Sequence, residues 1–249
     1  MARTIVFFHA HPDDEALLTS GTMARADAEG QRVVLITATA GEAGLADASL
    51  TASLGARRVA ELERSARILG VQRLVLLDYP DSGLDGKGSG AATPFSRIPV
   101  AEVAARVADV CREESASVLV GYDASGGYGH PDHRHVHDCA RSAAQSAGVH
   151  LFEATAPRWP FSWGVRLAEA VAPLPPDFDP EPFRTAFTPS HDITHRVDVR
   201  DYVDFKRASL RAHASQSTGA DVRTLGALLR LPRPVFRAFL GTEYYRRVG

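Results

Sequence analysis

The chain has 249 residues, of which 45% are hydrophobic and 23% charged, and its formal net charge is −2. That balance is ordinary for a globular protein of one large or two small domains. It excludes a basic surface for nucleic acid or anionic lipid, and no stretch approaches the ~20 apolar residues of a membrane span.

Thr4–His9 is short, apolar and β-branched, and is predicted as the first strand rather than a secretory leader, because the apolar run is brief and no cleavage site follows. A cytoplasmic location is expected. Asp14–Glu29 reads as a helix, with Leu17, Gly21, Ala24 and Ala28 on one face and Gly30 as its stop. "RVVLITAT" (32–39) is the second strand. Ala52–Leu69 is a helix ended by Gly70, and "RLVLLD" (73–78) is the third strand. The loop from Tyr79 to Pro99 is rich in Gly, Ser and Pro. Val100–Glu114 is a helix, "SVLVGY" (117–122) the fourth strand, His133–Ala147 a helix and "VHLFEA" (149–154) the fifth strand. Residues 155–190 are proline-rich and read as a covering segment with one short helix around Val165–Val171. "DITHRVDV" (192–199) alternates like a strand, Asp201–His213 looks helical, and 219–249 is predicted as one or two terminal helices.

Near-continuous apolar strands alternating with helices indicate an α/β fold: a Rossmann-like, mostly parallel sheet with helices on both faces and a less regular C-terminal portion. The whole chain reads as one domain, with a core over 1–154 and covering elements over 155–249. Ligands of such sheets bind beyond the carboxyl ends of the strands. The polar loops "HAHPDDE", "TAGEAG", "DYPDSG" and "GYDASGGYGHPDH" follow strands one to four, so all four are expected on one edge.

Two of these loops are crowded with metal-ligand residue types. "HAHPDDEALL" (9–18) holds two histidines and three acids, and "GGYGHPDHRHVH" (126–137) holds four of the ten histidines. Taken singly, each residue has an ordinary explanation. A carboxylate in a first helical turn is favoured by the helix dipole, His135 and His137 can face solvent or a neighbouring helix, and His150 and His191 read as structural or solvated. Two such clusters on one sheet edge point instead to a mixed N/O metal site, with His11 and Asp14 as ligands and His130, His133 or His137 as a third. Cys111 and Cys139 form no metal or redox motif.

"AHPDDE" together with "GYGHPDH" resembles the PIG-L/LmbE-like family of metal-dependent deacetylases, which act on N-acetylglucosamine-type groups and related amides. "RRVAELERSARILGV", "DSG" and "KRASLRAHASQ" are similar to further family segments, so the likeness spans most of the chain and is thinnest over 155–190 and the tail. Within the family, the second motif is most similar to the deacetylases of mycothiol biosynthesis. The resemblance implies His11, Asp14 and His133 as metal ligands and Asp13 as general base. It implies His130 as a protonated partner of the tetrahedral intermediate and Tyr128 as a group polarising the carbonyl. Arg58 and Asp81 match sugar-holding positions. Asp132 is expected to orient His130 through its carboxylate, and Glu15 to support or cap. One departure concerns the substrate rather than the chemistry: the mycothiol branch has an acid where this chain has Leu45.

The expected activity is removal of an N-acetyl group from an N-acetylglucosamine-type conjugate by a zinc-activated water, with Fe2+ as an alternative metal because N/O ligands suit both. The expected partner is a small sugar or amide substrate, with neither nucleic acid nor membrane, and no sequence feature sets an oligomeric state. An alternative keeps the site and changes the substrate to a thiol conjugate or an aminoglycoside or glycopeptide natural product. A nucleotide-binding module is disfavoured, because the first loop lacks G-x-G-x-x-G and its acids would repel phosphate. A degenerate binding protein is disfavoured by the intact His11, Asp13, Asp14, His130 and His133.

Overall fold

The computed structural model describes residues 3–43, 51–88, 92–159, 162, 185–217 and 223–249. Five strands, β1 (Thr4–His9), β2 (Arg32–Thr39), β3 (Arg73–Tyr79), β4 (Ala116–Tyr122) and β5 (His150–Thr155), form a parallel sheet in the order β3-β2-β1-β4-β5. Two further strands, β6 (His195–Asp198) and β7 (Thr242–Val248), extend it antiparallel beyond β5 in the order β7-β6.

Alternate residues of each central strand enter opposite cores. Phe8, Val34, Ile36 and Leu119 pack with Val103, Val107, Val136 and Ala140 of α4 (Val100–Glu113) and α5 (Pro131–Ala147). Phe7, Val33, Leu35 and Val120 pack on the other face with Met23 of α2 (Ser20–Ala28) and Leu62 of α3 (Thr51–Ile68). Both faces are dry, so these strands lack a polar side. The chain runs outward from β1 to β3 and then crosses back to β4, so the strand order reverses between β1 and β4. The carboxyl ends at such a reversal open a crevice, and the two histidine-rich loops leave β1 and β4 there.

Several elements depart from the sequence expectations. The helix expected over 14–29 is broken at Thr19 into α1 (Asp14–Leu18) and α2. The Thr19 hydroxyl bonds the buried His9 ring at 2.8 Å, and Gly21 lies so close to Val199 that a Cβ there would sit 2.6 Å from its side chain. The strand expected over 192–199 is confined to β6, and the helix over 201–213 opens with a 3-10 turn at 200–202 before α6 (Val203–Ala212). The terminal region holds two helices, α7 (Arg223–Arg230) and α8 (Arg233–Leu240), and then β7, where only helices were expected. β7 was hidden because one of its inward positions is Glu243, which breaks the apolar alternation. The short helix expected around 165–171 lies outside the described residues, as does Leu45. Among the described residues, no helix is long and apolar enough to cross a membrane.

Candidate active site

His11 lies in the turn after β1, Asp14 opens α1, and His133 sits in the first turn of α5, where His130 is the N-cap and Pro131 the first helical residue. Two ring nitrogens and both oxygens of one carboxylate converge from these segments. His11 Nδ1 is 3.4 Å from Asp14 Oδ2, His133 Nε2 is 3.3 Å from Asp14 Oδ1, and the two ring nitrogens are 3.3 Å apart. Donors held ~2.0–2.1 Å from one tetrahedral centre lie ~3.4 Å from each other. The two nitrogens, each with a carboxylate oxygen of Asp14 beside it, therefore have the spacing of ligands on one small divalent ion.

The outer hydrogen bonds fix which atoms face inward. His11 Nε2 donates to Asp132 Oδ2 at 3.0 Å, with Asp81 Oδ1 at 3.4 Å, and His133 Nδ1 donates to the Gly126 carbonyl at 3.2 Å. Each ring then turns a lone pair toward the Asp14 carboxylate, which itself accepts the His11 amide at 2.8 Å. Two lone pairs and a carboxylate at this separation repel unless a ring proton or a metal ion lies between them. Burial works against charge on His11, but Asp132, Asp14 and Asp81 outweigh it and hold its pKa well above the usual range. That is the signature of a cluster that seeks positive charge, and a metal ion meets the need with the same donors.

His130 and Asp132 differ from expectation. His130 brings a ring nitrogen within 4.8 Å of the ligand atoms of His11 and His133, but its Nδ1 accepts the Asp132 amide at 3.1 Å. Its proton therefore resides on Nε2, which makes it a donor rather than a ligand. Burial, followed by His11 and His133, pushes its pKa down to about 4, so the ring is neutral where a protonated one was expected. The Asp132 carboxylate orients His11, not His130, and also accepts the Ser82 amide at 3.1 Å. His137, the remaining candidate for third ligand, faces Glu153 at 3.2 Å instead, and His135 packs edge-on to Phe95.

Asp13 is the N-cap of α1, yet its side chain makes no capping bond. It points toward Arg58, whose Nη2 lies 3.3 Å from Oδ2. Burial raises the Asp13 pKa to about 6 against the opposing pull of Arg58. Its backbone has φ 106°, a left-handed conformation that is costly for a residue with a Cβ. Tyr128 is exposed (44%) and stands edge-on to His130 and His133 with ring centroids 6.1 and 5.3 Å away. Its loop turns on Gly126, Gly127 and Gly129, all at positive φ, and a Cβ on Gly126 would meet the Arg134 amide at 2.8 Å.

Arg58 and Asp81 are both buried and bonded within the protein. Arg58 donates to the carbonyls of Gly41 and Pro12 at 2.6 and 2.7 Å. Asp81 accepts the amides of Gly83 and Ala43 at 2.8 and 3.1 Å. Sequence reading overlooked Tyr122 and Asp123. The Tyr122 ring stacks on His133 at 4.4 Å and its hydroxyl meets His9 Nδ1 at 3.1 Å. Asp123 Oδ1 accepts the Gly127 amide at 3.1 Å, while Oδ2 accepts the Thr155 and Thr188 hydroxyls at 2.5 and 3.0 Å. The signal was "YD", standing directly before the glycine loop at the end of β4.

The chain has relatives among known proteins. Residues 6–144 match the family model described as PIG-L: GlcNAc-PI de-N-acetylase. A 1D-myo-inositol 2-acetamido-2-deoxy-alpha-D-glucopyranoside deacetylase of Acidothermus cellulolyticus is 34% identical, with 98% of this chain and 88% of the relative covered. The protein of the same name from Rhodococcus opacus is 37% identical over 91% of this chain and 86% of its own length. Among solved structures, the N,N'-diacetylchitobiose deacetylase of Pyrococcus horikoshii superposes with a TM-score of 0.64 at 22% identity, covering 99% of this chain and 84% of that one, which speaks for the fold. With its family model matched over more than half its length and both curated relatives aligned almost end to end, this chain belongs to the PIG-L family of de-N-acetylases.

Proposed function

We propose that the chain is a single-domain, divalent-metal-dependent hydrolase that removes the N-acetyl group from an N-acetylglucosamine-type sugar conjugate. The observation that carries this reading is the 3.3–3.4 Å triangle of His11, Asp14 and His133 donors beside the uncapped carboxylate of Asp13. The relatives named as deacetylases of an inositol-linked acetamido sugar supply the substrate class. The N/O donor set favours zinc, with Fe2+ as the second choice. A small, uncharged acyl sugar also suits a chain with a formal charge of only −2.

His11, Asp14 and His133 would hold a divalent ion, which would supply Lewis acidity to the amide carbonyl and a water of lowered pKa, toward ~7. Asp13, with a pKa near 6, takes a proton from the attacking water as the new C–O bond forms. The His130 Nε2–H and the Tyr128 hydroxyl donate to the oxyanion. A neutral His130 serves this role as a hydrogen-bond donor, so no proton needs to leave it. Asp13 then returns its proton to the nitrogen as the C–N bond breaks, giving acetic acid and the amine, which part as acetate and ammonium once the acid's proton passes to the amine. Asp132 holds His11 in the tautomer that binds metal. Arg58 and Asp81 shape the substrate side through the loops they tie together.

A second reading keeps this chemistry and moves the substrate to a thiol conjugate or a natural product. Leu45, standing where the mycothiol branch has an acid, favours it. The test is acetate release from a panel of N-acetylglucosaminyl compounds, including the inositol conjugate, with and without a chelator. Chelator-sensitive release is expected. No release from any member by metal-loaded protein would overturn the N-acetylglucosamine assignment and favour the second reading.

A further inference from the structure

Beneath Asp13 lies a buried polar network that the hydrolysis itself does not use. Glu15 and His213 are both fully buried. His213 Nε2 donates to Glu15 Oε1 at 2.6 Å. The Ser65 hydroxyl donates to the same oxygen at 2.5 Å and lies 2.7 Å from the Ser209 hydroxyl. The other oxygen, Glu15 Oε2, accepts the amide of Asp13 at 3.0 Å. The network thus joins α1, α3 and the end of α6 at one point under the proposed base.

Stability does not account for such an arrangement. A buried ion pair is often no better than well-packed apolar side chains of the same volume. What this network does hold is a backbone position that needs holding. Asp13 at φ 106° adopts a conformation that persists only where its surroundings over-determine it. Arg58 secures one side of the residue through the Pro12 carbonyl and the Asp13 carboxylate. The amide side is secured by Glu15. Glu15 in turn is fixed by Ser65 and His213, and among the described residues nothing partners His213 Nδ1, so the ring's described polar anchor is Glu15.

We propose that His213, acting through Glu15, is a positioning residue for Asp13. The pair fixes the amide of residue 13 in its left-handed conformation and so aims the carboxylate at the attacking water. The inference rests on the proposed role of Asp13 as the base. It also gives the "AHASQ" segment a purpose that neither the metal site nor the oxyanion donors supply.

The test uses the full-length, zinc-loaded, 15N-labelled protein and compares wild type with His213→Leu and His213→Gln. The readouts are the Asp13 amide shift and exchange rate, bound zinc, and kcat and KM for a panel member that wild type hydrolyses. In His213→Leu the Asp13 amide is expected to move upfield and exchange faster. Its kcat should fall about 10–100-fold, the scale of a small misplacement of a reacting group, with KM and bound zinc unchanged. His213→Gln, which can still donate an N–H to Glu15, should recover most of both. An unmoved Asp13 amide, or a loss of kcat that merely follows lost zinc, overturns the proposal. Should His213→Leu not fold, His213→Ala carries the same readouts, and an unmoved amide again overturns it. If wild type releases no acetate from any panel member, the amide shift still decides the positioning and the failure belongs to the proposed activity.

Discussion

Asp13 and Asp14 are adjacent in sequence and opposite in environment. Burial alone would raise both carboxyl pKa values, but Asp14 faces His133 and His11 and is pulled well below the usual range, whereas Asp13 is left near 6. Two neighbouring carboxyls driven apart in this way suit the proposed division of labour between ligand and base. Asp13→Asn should therefore bind zinc normally and lose about 10²–10⁴-fold in kcat, read by steady-state kinetics alongside metal analysis. An Asp13→Asn protein with wild-type turnover would remove Asp13 as the base. His133→Ala should lose the metal itself. Asp132→Asn should weaken zinc affinity about 10–100-fold in competition with a chromophoric chelator, because its carboxylate sets the tautomer of His11. Had Asp132 served His130, as its place in "HPDH" suggests, its loss would spare the metal.

At the scale of elements, two ionic ties join secondary structures that are distant in sequence. Glu243 on β7 accepts the amides of Gly21 and Thr22 at 2.9 and 2.8 Å, among the first-turn N–H groups of α2 that lack helical partners. Lys206 of α6 neutralises it at 2.6 Å, with both side chains buried. Lys206→Met leaves that carboxylate buried without its cation and should cost about 3–5 kcal/mol in urea unfolding. Adding Glu243→Gln should return part of that loss. The second tie is Glu114, after α4, which bonds Arg32 of β2 at 2.5 Å and Arg73 of β3 at 2.8 Å. The two arginines hold its carboxyl down to about 2 in the folded protein. Because that pKa is depressed on folding, the stabilisation is complete above the ordinary carboxylate pKa and disappears as pH falls toward 2. With solvent-exposed arginines as partners it is a small contribution, screened by salt. Glu114→Gln should thus be less stable than wild type at pH 7, and the two should converge in acid. A constant gap across that range would show that the tie acts by packing alone.

Over the whole molecule, what the sequence reveals depends on whether the determining contacts are local. β1 to β5 were legible because each carries a short apolar run bounded by turn residues. Their order on one edge followed from the parallel connection rule, and with it the meeting of His11 with "GHPDH". β7 was not legible, since Glu243 answers to Lys206 rather than to a hydrophobic core. Glu15 was legible as a supporting or capping residue, but its partner His213, 198 residues away, was not. The tautomer of His130 depends on a backbone amide that only the start of α5 puts in place. Metal binding should also register globally. At a hundredfold excess of zinc over its dissociation constant the folded state gains ~2.7 kcal/mol, so a chelator should lower Tm by roughly 5–10 °C in a thermal melt. An unchanged Tm would mean that the triangle holds no ion.

The separation of His213 from the motifs it serves also has a consequence in time. Ribosomes deliver the N-terminal part of a chain first. His11, Asp14 and His133 all emerge before residue 134, whereas the prop beneath Asp13 arrives only with residue 213. On the proposed roles, the growing chain therefore presents its metal ligands well before its base can be braced, so the site is open to metal before it is equipped to hydrolyse anything.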